Sequence, residues 1–271
     1  MNNLAKADIF SPLFTVENNQ LSIVPGTIYA GHALPGKVNL PKKLKPGSDY
    51  AVDVEDGVVS AKQLDSTPDL KCLGGFHVGL DGKIVENSIW DAKFRPREVD
   101  PRGMVLVEDF WVDIYLLNSD PGKNGTSAAG VEIASGTEEI MMQGVRKPLT
   151  WWNAVTVLAV LGKQLLSMSE FCVAAQGVEE GKTCGEKPKT TRHIPGLKSR
   201  YGLEQATGCI WTWGRDFNPS GPYASLMGGS WDSGSAGPRR SDINVPDYGW
   251  RGVAARGRCD HLWPDRSEAK A

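Results

Sequence analysis

Features that mark several common protein classes are missing from this sequence of 271 residues. The formal net charge is only −2, so neither sign dominates as it does in proteins that bind nucleic acid or anionic membranes. The longest apolar stretch, residues 155–166, is interrupted by polar residues and is too short to span a bilayer. The first residues lack a basic segment followed by an apolar one, so we expect cytoplasmic synthesis, with presentation on a virion or cell surface left open. The sequence predicts neither nucleic-acid binding nor membrane insertion.

Motifs for metal, phosphate and calcium-dependent sugar binding are missing as well. The five cysteines are scattered without CxxC or zinc-like spacing, which favours free or buried thiols in a reducing compartment. No GxGxxG or GxxxxGK[ST] motif, no DxDxDG loop, and none of the tripeptides EPN, QPD and WND of calcium-dependent animal lectins occurs. The sequence therefore predicts no metal site and no cofactor.

Another gap in composition marks the C-terminal part of the chain. Residues 206–267 contain no lysine, glutamate or glutamine, although all three are frequent before them. The stretch is rich in glycine, serine, asparagine and aspartate, which favour turns, and in tryptophan, tyrosine and arginine, which dominate binding surfaces. Its tryptophans carry more apolar area than an unfolded tail leaves in water. The composition predicts an ordered, loop-rich segment, which is either a binding surface or a purely structural element.

The composition also changes near residue 70. Residues 1–70 contain no tryptophan and alternate short apolar runs with turn residues, which is typical of a small β-rich N-terminal domain. The sequence Glu55-Asp56-Gly57 between two apolar runs predicts a hairpin there. We therefore expect a first domain over residues 1–70 and a second over residues 71–271.

Three segments of the second part have clear secondary-structure signals. The apolar and aromatic run over residues 110–117 predicts a buried strand. Apolar residues at helical spacing predict helices over residues 152–161 and 168–175, with Ser167 or Ser169 as the cap of the second helix.

Several patches of the chain together resemble the C-type lectin domains of the formylglycine-generating-enzyme subtype. They include GKQLLSMSEFCVAAQG, RYGLEQATGCIWTWGRD, GGSW and GWRGVAARG. Within that group, GGFHVGL, SIWDAKFRP, DPRGMVLV, FWVDIYLLNSD, NGTSAAG and ARGRCDHL are similar to the variable proteins of diversity-generating retroelements, which include phage receptor-binding proteins. The resemblance covers residues 72–262. It implies an α+β class with a C-type lectin fold after the N-terminal β domain, and a variable region over residues 206–262.

The resemblance also implies which residues vary. In such systems the adenines of AAY codons are replaced at random, and the resulting NNY codons never encode lysine, glutamate, glutamine, methionine or tryptophan. The tryptophans of the variable region are then fixed and pack the scaffold, together with one arginine. The predicted scaffold residues are Trp211, Trp213, Trp231, Arg239 and Trp250. The predicted ligand-binding, diversified residues are Arg215, Asp216, Asn218, Tyr223, Ser230, Asp232, Ser233, Ser235, Arg240, Asp242, Asn244, Asp247 and Tyr248.

The function implied by the resemblance is hypervariable recognition of a protein or cell-surface ligand, as in phage tropism or host binding, without catalysis. A homo-oligomer, trimeric if the chain forms a fibre tip, would suit that role. One alternative is a cysteine oxidase like the namesake of the subtype, which holds copper with a cysteine pair, but Cys259 stands alone in the corresponding stretch and only Cys209 could approach it. Another alternative is a lectin-like adhesin with a fixed, non-diversified surface.

Overall fold

The computed structural model of the chain describes residues 4–5, 10–65, 72–136, 139–218, 223–232, 236–238, 241–246 and 253–262. For residues 4–5, 217–218 and 241–246 it describes the backbone only. The chain forms two compact units, unit 1 over Met1–Asp109 with Asp260–Ala271 and unit 2 over Phe110–Cys259. The described residues are mostly β with few helices. A domain boundary near residue 70 stays a prediction.

Unit 1 consists of short strands. They are β1 (Leu4–Ala5), β2 (Phe14–Glu17), β3 (Gln20–Ile23), β4 (Ile28–Tyr29), β5 (His32–Ala33), β6 (Ser48–Glu55), β7 (Val58–Gln63), β8 (Gly74–Val78), β9 (Trp90–Asp91) and β10 (Met104–Val107), with a 3-10 helix over Glu86–Ser88. The larger sheet has the order β7-β6-β8-β9, and two smaller sheets contain β1-β4-β5 and β2-β3.

The long strand β6 organises the core of unit 1. It pairs antiparallel with β7 on one side and β8 on the other, so Tyr50 and Val52 are surrounded and almost fully buried. The Tyr50 and Phe76 rings stack with centroids 5.3 Å apart. Between β6 and β7, Asp56 and Gly57 have φ values of 50° and 77°, as a tight two-residue hairpin turn requires. The hairpin predicted at this position is confirmed.

Unit 2 contains the helices and the second group of strands. Its elements are β11 (Phe110–Asp113), α1 (Pro121–Asn124), β12 (Ile140–Met142), β13 (Val145–Lys147), α2 (Trp151–Val160), β14 (Gln164–Leu165), α3 (Met168–Ala174), β15 (Trp211–Asn218), β16 (Tyr223–Met227), β17 (Ser241–Pro246), β18 (Val253–Ala254) and β19 (Gly257–Asp260). One sheet contains β11-β19-β14, another has the order β17-β16-β15-β18, and β12 and β13 form a hairpin.

The two predicted helices of unit 2 form, and side chains cap both. The Thr150 side chain accepts a hydrogen bond from the backbone of Asn153 at the start of α2. At the start of α3, Ser167 and Glu170 form a reciprocal capping box, which identifies Ser167 as the cap. The short strand β14 lies between the two helices. The predicted strand over residues 110–117 ends at Asp113, although the chain stays buried as far as Leu117.

Tryptophans tie α2 to the sheet that contains β15. The Trp151 indole N–H donates to the carbonyl of Gly214 at 2.8 Å, and the Trp213 indole N–H donates to that of Leu149 at 3.3 Å. Trp213 is fully buried among the apolar side chains of α2, β16 and β18.

Of the helices in the described ranges, none has the length and apolar character to cross a membrane.

Candidate functional site

The predicted variable region supplies three neighbouring strands of one sheet in unit 2. Strands β15 and β16 pair antiparallel with Asn218 opposite Tyr223, and β16 pairs antiparallel with β17, where Asp242 lies opposite Leu226. The register of β15 against β16 shifts between Trp213 and Phe217. Irregular pairing of this kind re-aims side chains, and the segment that contains it carries two predicted ligand residues, Arg215 and Asp216.

Arg215 presents a cation to solvent from an anchored backbone. Its backbone N–H donates to the carbonyl of Leu166 at 2.7 Å. Its side chain is 45 % exposed, although one guanidinium nitrogen donates to the Gln164 side chain at 2.7 Å and another lies 3.6 Å from the Glu170 carboxylate. The charge is therefore positioned by neighbours and still accessible to a ligand.

The Glu170 carboxylate links this arginine to a second one. Burial by itself would raise the pKa of Glu170, but the backbone N–H of Ser167 and the charges of Arg258 and Arg215 outweigh it, so the pKa is lowered. Arg258 donates to the same carboxylate at 2.6 Å. Glu170 is thus ionised at neutral pH, and its half-buried carboxylate forms an ion pair that helps to position the Arg215 guanidinium.

Asp216 already has a structural partner. Its carboxylate accepts a hydrogen bond from the backbone N–H of Met168 at 2.5 Å, at the first residue of α3. The side chain is half-buried. One carboxylate oxygen of Asp216 is therefore engaged by α3, and its role as a ligand residue stays a prediction.

A second group of predicted residues follows β16. Gly228 and Gly229 have φ values of 91° and 81°, a backbone conformation that favours glycine, and they turn the chain into Ser230. Ser230 is only 5 % exposed, and its hydroxyl donates to the exposed Asp232 carboxylate. Burial leaves Ser230 little surface for a ligand, and its role as a ligand residue stays a prediction.

The backbone under Asp232 is fixed to the interior. Cys209 pairs with Ser230 in a parallel bridge, and the Trp231 N–H donates to the Cys209 carbonyl at 3.0 Å. The half-buried Trp231 side chain packs on the buried cluster that contains Leu116 and Ile210. Asp232 is therefore an exposed charge on a restrained turn.

The remaining predicted residues differ in how much the structure says of them. Tyr223 is half-buried at the start of β16, and Trp211 is half-buried against the α2 core. For Asn218, Asp242 and Asn244 only the backbone positions on β15 and β17 are described. The residues that lie outside the described part are Ser233, Ser235, Arg239, Arg240, Asp247, Tyr248 and Trp250.

Sequence reasoning missed the neighbours that hold these side chains. Gln164 and Glu170 contact Arg215 from β14 and α3, although they lie outside the variable region. No sequence pattern links residues that are so far apart in the chain. Near these contacts, only the helix-capping pattern at Ser167 and Glu170 could be recognised from the sequence.

Within the described ranges, no cluster of three or more His, Cys, Asp or Glu side chains could hold a metal ion.

Comparison with known proteins places the chain in a family. No protein-family model matches it. The tail fiber receptor-binding protein of Bordetella phage BPP-1 is 32 % identical to it in an alignment that covers 81 % of this chain and 72 % of that protein. The chain belongs to the family of this tail fiber protein. The family resemblance predicted from the sequence is thereby confirmed.

Solved structures of the same family share the whole described architecture. The U1 variant of the Major Tropism Determinant matches with a TM-score of 0.89 at 31 % identity, and the M1 variant with 0.88 at 32 %. Each match covers 97 % of this chain and 87 % of the other. The mostly β architecture with few helices is therefore that of the tail fiber family, consistent with the C-type lectin fold predicted from the sequence.

Proposed function

We propose that this chain is a receptor-binding protein that recognises a cell-surface ligand through exposed side chains of β15 and of the turn after β16. The main support for the proposal is a difference in burial between two residues of the same strand, β15. Trp213 is fully buried and hydrogen-bonded in the core, whereas Arg215, two residues away, is exposed. Relatives whose names describe receptor binding and tropism, at 31 % to 32 % identity, support it.

The recognition surface is diversified in this proposal. The absence of lysine, glutamate and glutamine from residues 206–267 fits random replacement within NNY codons. Exposed substitutions on a rigid frame usually change stability by less than about 0.5 kcal/mol, so side chains such as Arg215 and Asp232 can vary while the fold persists. The tryptophans supply the frame, because those codons never encode them.

Diversification leaves a trace in DNA that can be read directly. We expect a near-copy of the DNA that encodes residues 206–262, differing at adenines, beside a reverse transcriptase gene. Sequencing the surrounding genome is the measurement. A genome without such a copy would favour a fixed lectin-like adhesin.

Binding itself is tested with the purified, fluorescently labelled chain and a panel of bacterial strains. We expect Arg215→Ala and Asp232→Ala to reduce cell binding at least tenfold on any strain that the parent binds, with melting temperatures unchanged. Arg146→Ala and Asp109→Ala, which also remove exposed charges, are the matched controls. Equal losses for all four variants, or none for the first two, would contradict the proposed surface.

We propose binding without catalysis, on a lectin domain of the formylglycine-generating-enzyme subtype. The relatives are named as receptor-binding proteins, which supports binding over the copper-dependent cysteine oxidase. In the structure Cys259 is buried, and Cys209 is hydrogen-bonded to Cys184. Stoichiometric copper together with oxidation of a cysteine peptide would reverse this conclusion.

The chain acts, in our proposal, as a homo-oligomer presented on a phage particle, with its N-terminal β domain as the mount. Trimers would multiply weak contacts with a cell surface. The mass of the purified chain in solution, measured by light scattering, tests this directly. A monomer at micromolar concentration would contradict it.

A further inference from the structure

Two cysteines of unit 2 that are distant in sequence meet. The backbone N–H of Cys184 donates to the carbonyl of Gly208 at 2.9 Å, which places Cys184 beside the peptide bond that leads into Cys209. The close approach needs Gly208, because an added Cβ would lie 2.2 Å from the carbonyl oxygen of Lys182. The two thiols interact by a hydrogen bond, and the Cys184 thiol also donates to the Glu186 carbonyl at 2.9 Å. Both cysteines are free thiols.

The two sulfurs differ in exposure and in acidity. Cys209 is fully buried, whereas Cys184 is half-exposed on a polar loop. The hydrogen bond from Cys209 outweighs burial and, together with the Glu186 backbone and the charge of Arg192, lowers the pKa of Cys184 to about 7. The same hydrogen bond and burial raise the pKa of Cys209. An accessible thiolate beside a protonated partner is the arrangement of a reactive cysteine with a resolving cysteine.

We propose that Cys184 and Cys209 form a thiol–disulfide exchange site, which small-molecule disulfides such as oxidised glutathione convert to an intramolecular disulfide. This proposal does not rest on the proposed receptor-binding function, although the Cys209 backbone also anchors the turn that carries Asp232.

The thiol–disulfide exchange proceeds in two steps that together conserve atoms and electrons. The Cys184 thiolate attacks one sulfur of glutathione disulfide, the disulfide bond breaks, and glutathione leaves as a thiolate that takes a proton from water. Cys209 then loses its proton to solvent and attacks the Cys184 sulfur, which releases the second glutathione. Two protein thiols are oxidised and one glutathione disulfide is reduced to two thiols. Once Cys184 carries glutathione, its negative charge no longer opposes ionisation of Cys209.

The test uses the full reduced chain with oxidised glutathione at neutral pH, alkylation of remaining thiols, and mass spectrometry of tryptic peptides. We expect the peptides of residues 183–189 and 201–215 to be joined, with the loss of two hydrogens. In Cys209→Ser, glutathione should instead remain on the first peptide. Cys172→Ser is the matched control, since Cys172 is also half-buried and its thiol donates to the Pro238 carbonyl at 3.2 Å, and it should behave as the parent.

The pH dependence of Cys184 labelling provides a second readout that does not require the disulfide to form. The first-order labelling rate of Cys184 by an alkylating reagent should reach half its maximum near pH 7, as the thiolate forms. A rate that follows an ordinary thiol, with a midpoint near or above pH 8.5, would overturn the proposal. So would a parent chain that keeps glutathione on Cys184 without joining the two peptides, or one in which Cys184 does not react.

Discussion

Replacing Lys163 by methionine should destabilise unit 2 more than any exposed charge substitution. Lys163 follows α2, and its ammonium donates to the Asp113 carboxylate at 2.5 Å and to the Thr126 hydroxyl at 2.6 Å. The two charged side chains are 7 % and 0 % exposed. Without Lys163, the Asp113 carboxylate would stay buried and would lose the cation of this ion pair.

The magnitude follows from the partners that remain. Removal of one member of a buried ion pair typically costs about 3 to 5 kcal/mol, because the other charge loses its compensation. Asp113 would keep the N–H of Gly257 at 3.2 Å, which offsets part of the loss. We expect a decrease of about 3 kcal/mol in the free energy of unfolding, or a melting temperature lower by roughly 6 to 12 °C.

Urea unfolding followed by tryptophan fluorescence measures this change. Lys147→Met is the control, because Lys147 is exposed on β13 and its loss should cost less than about 0.5 kcal/mol. Adding Asp113→Asn to Lys163→Met should restore part of the stability by removing the orphaned charge. The reasoning is refuted if the two lysine variants unfold at the same urea concentration.

Three further predictions concern stability and its dependence on pH. Trp213→Ala should lower the free energy of unfolding in urea by about 3 to 5 kcal/mol, whereas Asp232→Ala should change it by less than about 0.5 kcal/mol; similar losses would contradict the division between frame and surface. Arg256→Met should cost at least about 3 kcal/mol in the same assay, because the fully buried guanidinium donates to three backbone carbonyls, and a neutral result would show that these bonds are dispensable. The lowered pKa of Glu170 contributes stability above its unfolded-state pKa that is lost as the pH falls through the native value. As the pH is lowered below about 4.5, the melting temperature of Glu170→Gln should therefore fall less than that of the parent. If melting temperature depended on pH in the same way for both chains, an ionised Glu170 in the native state would be contradicted.

Local structure was predictable where the signal lies within a few residues. The Asp56-Gly57 turn needs only two residues with positive φ, and the Ser167 cap needs only its partner three positions on. The aromatic and apolar spacing that predicted α2 indicates one buried face, which the neighbouring strands cover. Such elements follow from backbone geometry and from burial.

The contacts that shape the candidate site could not be predicted in this way. Arg215 meets Gln164 across 51 residues of chain, and Asp216 meets Met168 across 48. The meeting of Cys184 and Cys209 depends likewise on how a loop returns to a strand. These pairings depend on tertiary packing, and no periodicity of one segment encodes them. Composition nevertheless predicts a variable region, because codon chemistry restricts residue types independently of the fold.

The short segment from Val253 to Gly257 determines when unit 2 can fold during synthesis. Arg256 binds the carbonyls of Asp113 and Ile114 across 143 and 142 residues, and the Gly257 N–H binds Asp113 across 144. A ribosome must therefore translate nearly all of unit 2 before its earliest strand finds these partners. Until then the carbonyls of Asp113 and Ile114 lack the hydrogen bonds from Arg256. Chaperones should therefore stay bound to the nascent chain until late in translation and dissociate as Arg256 emerges.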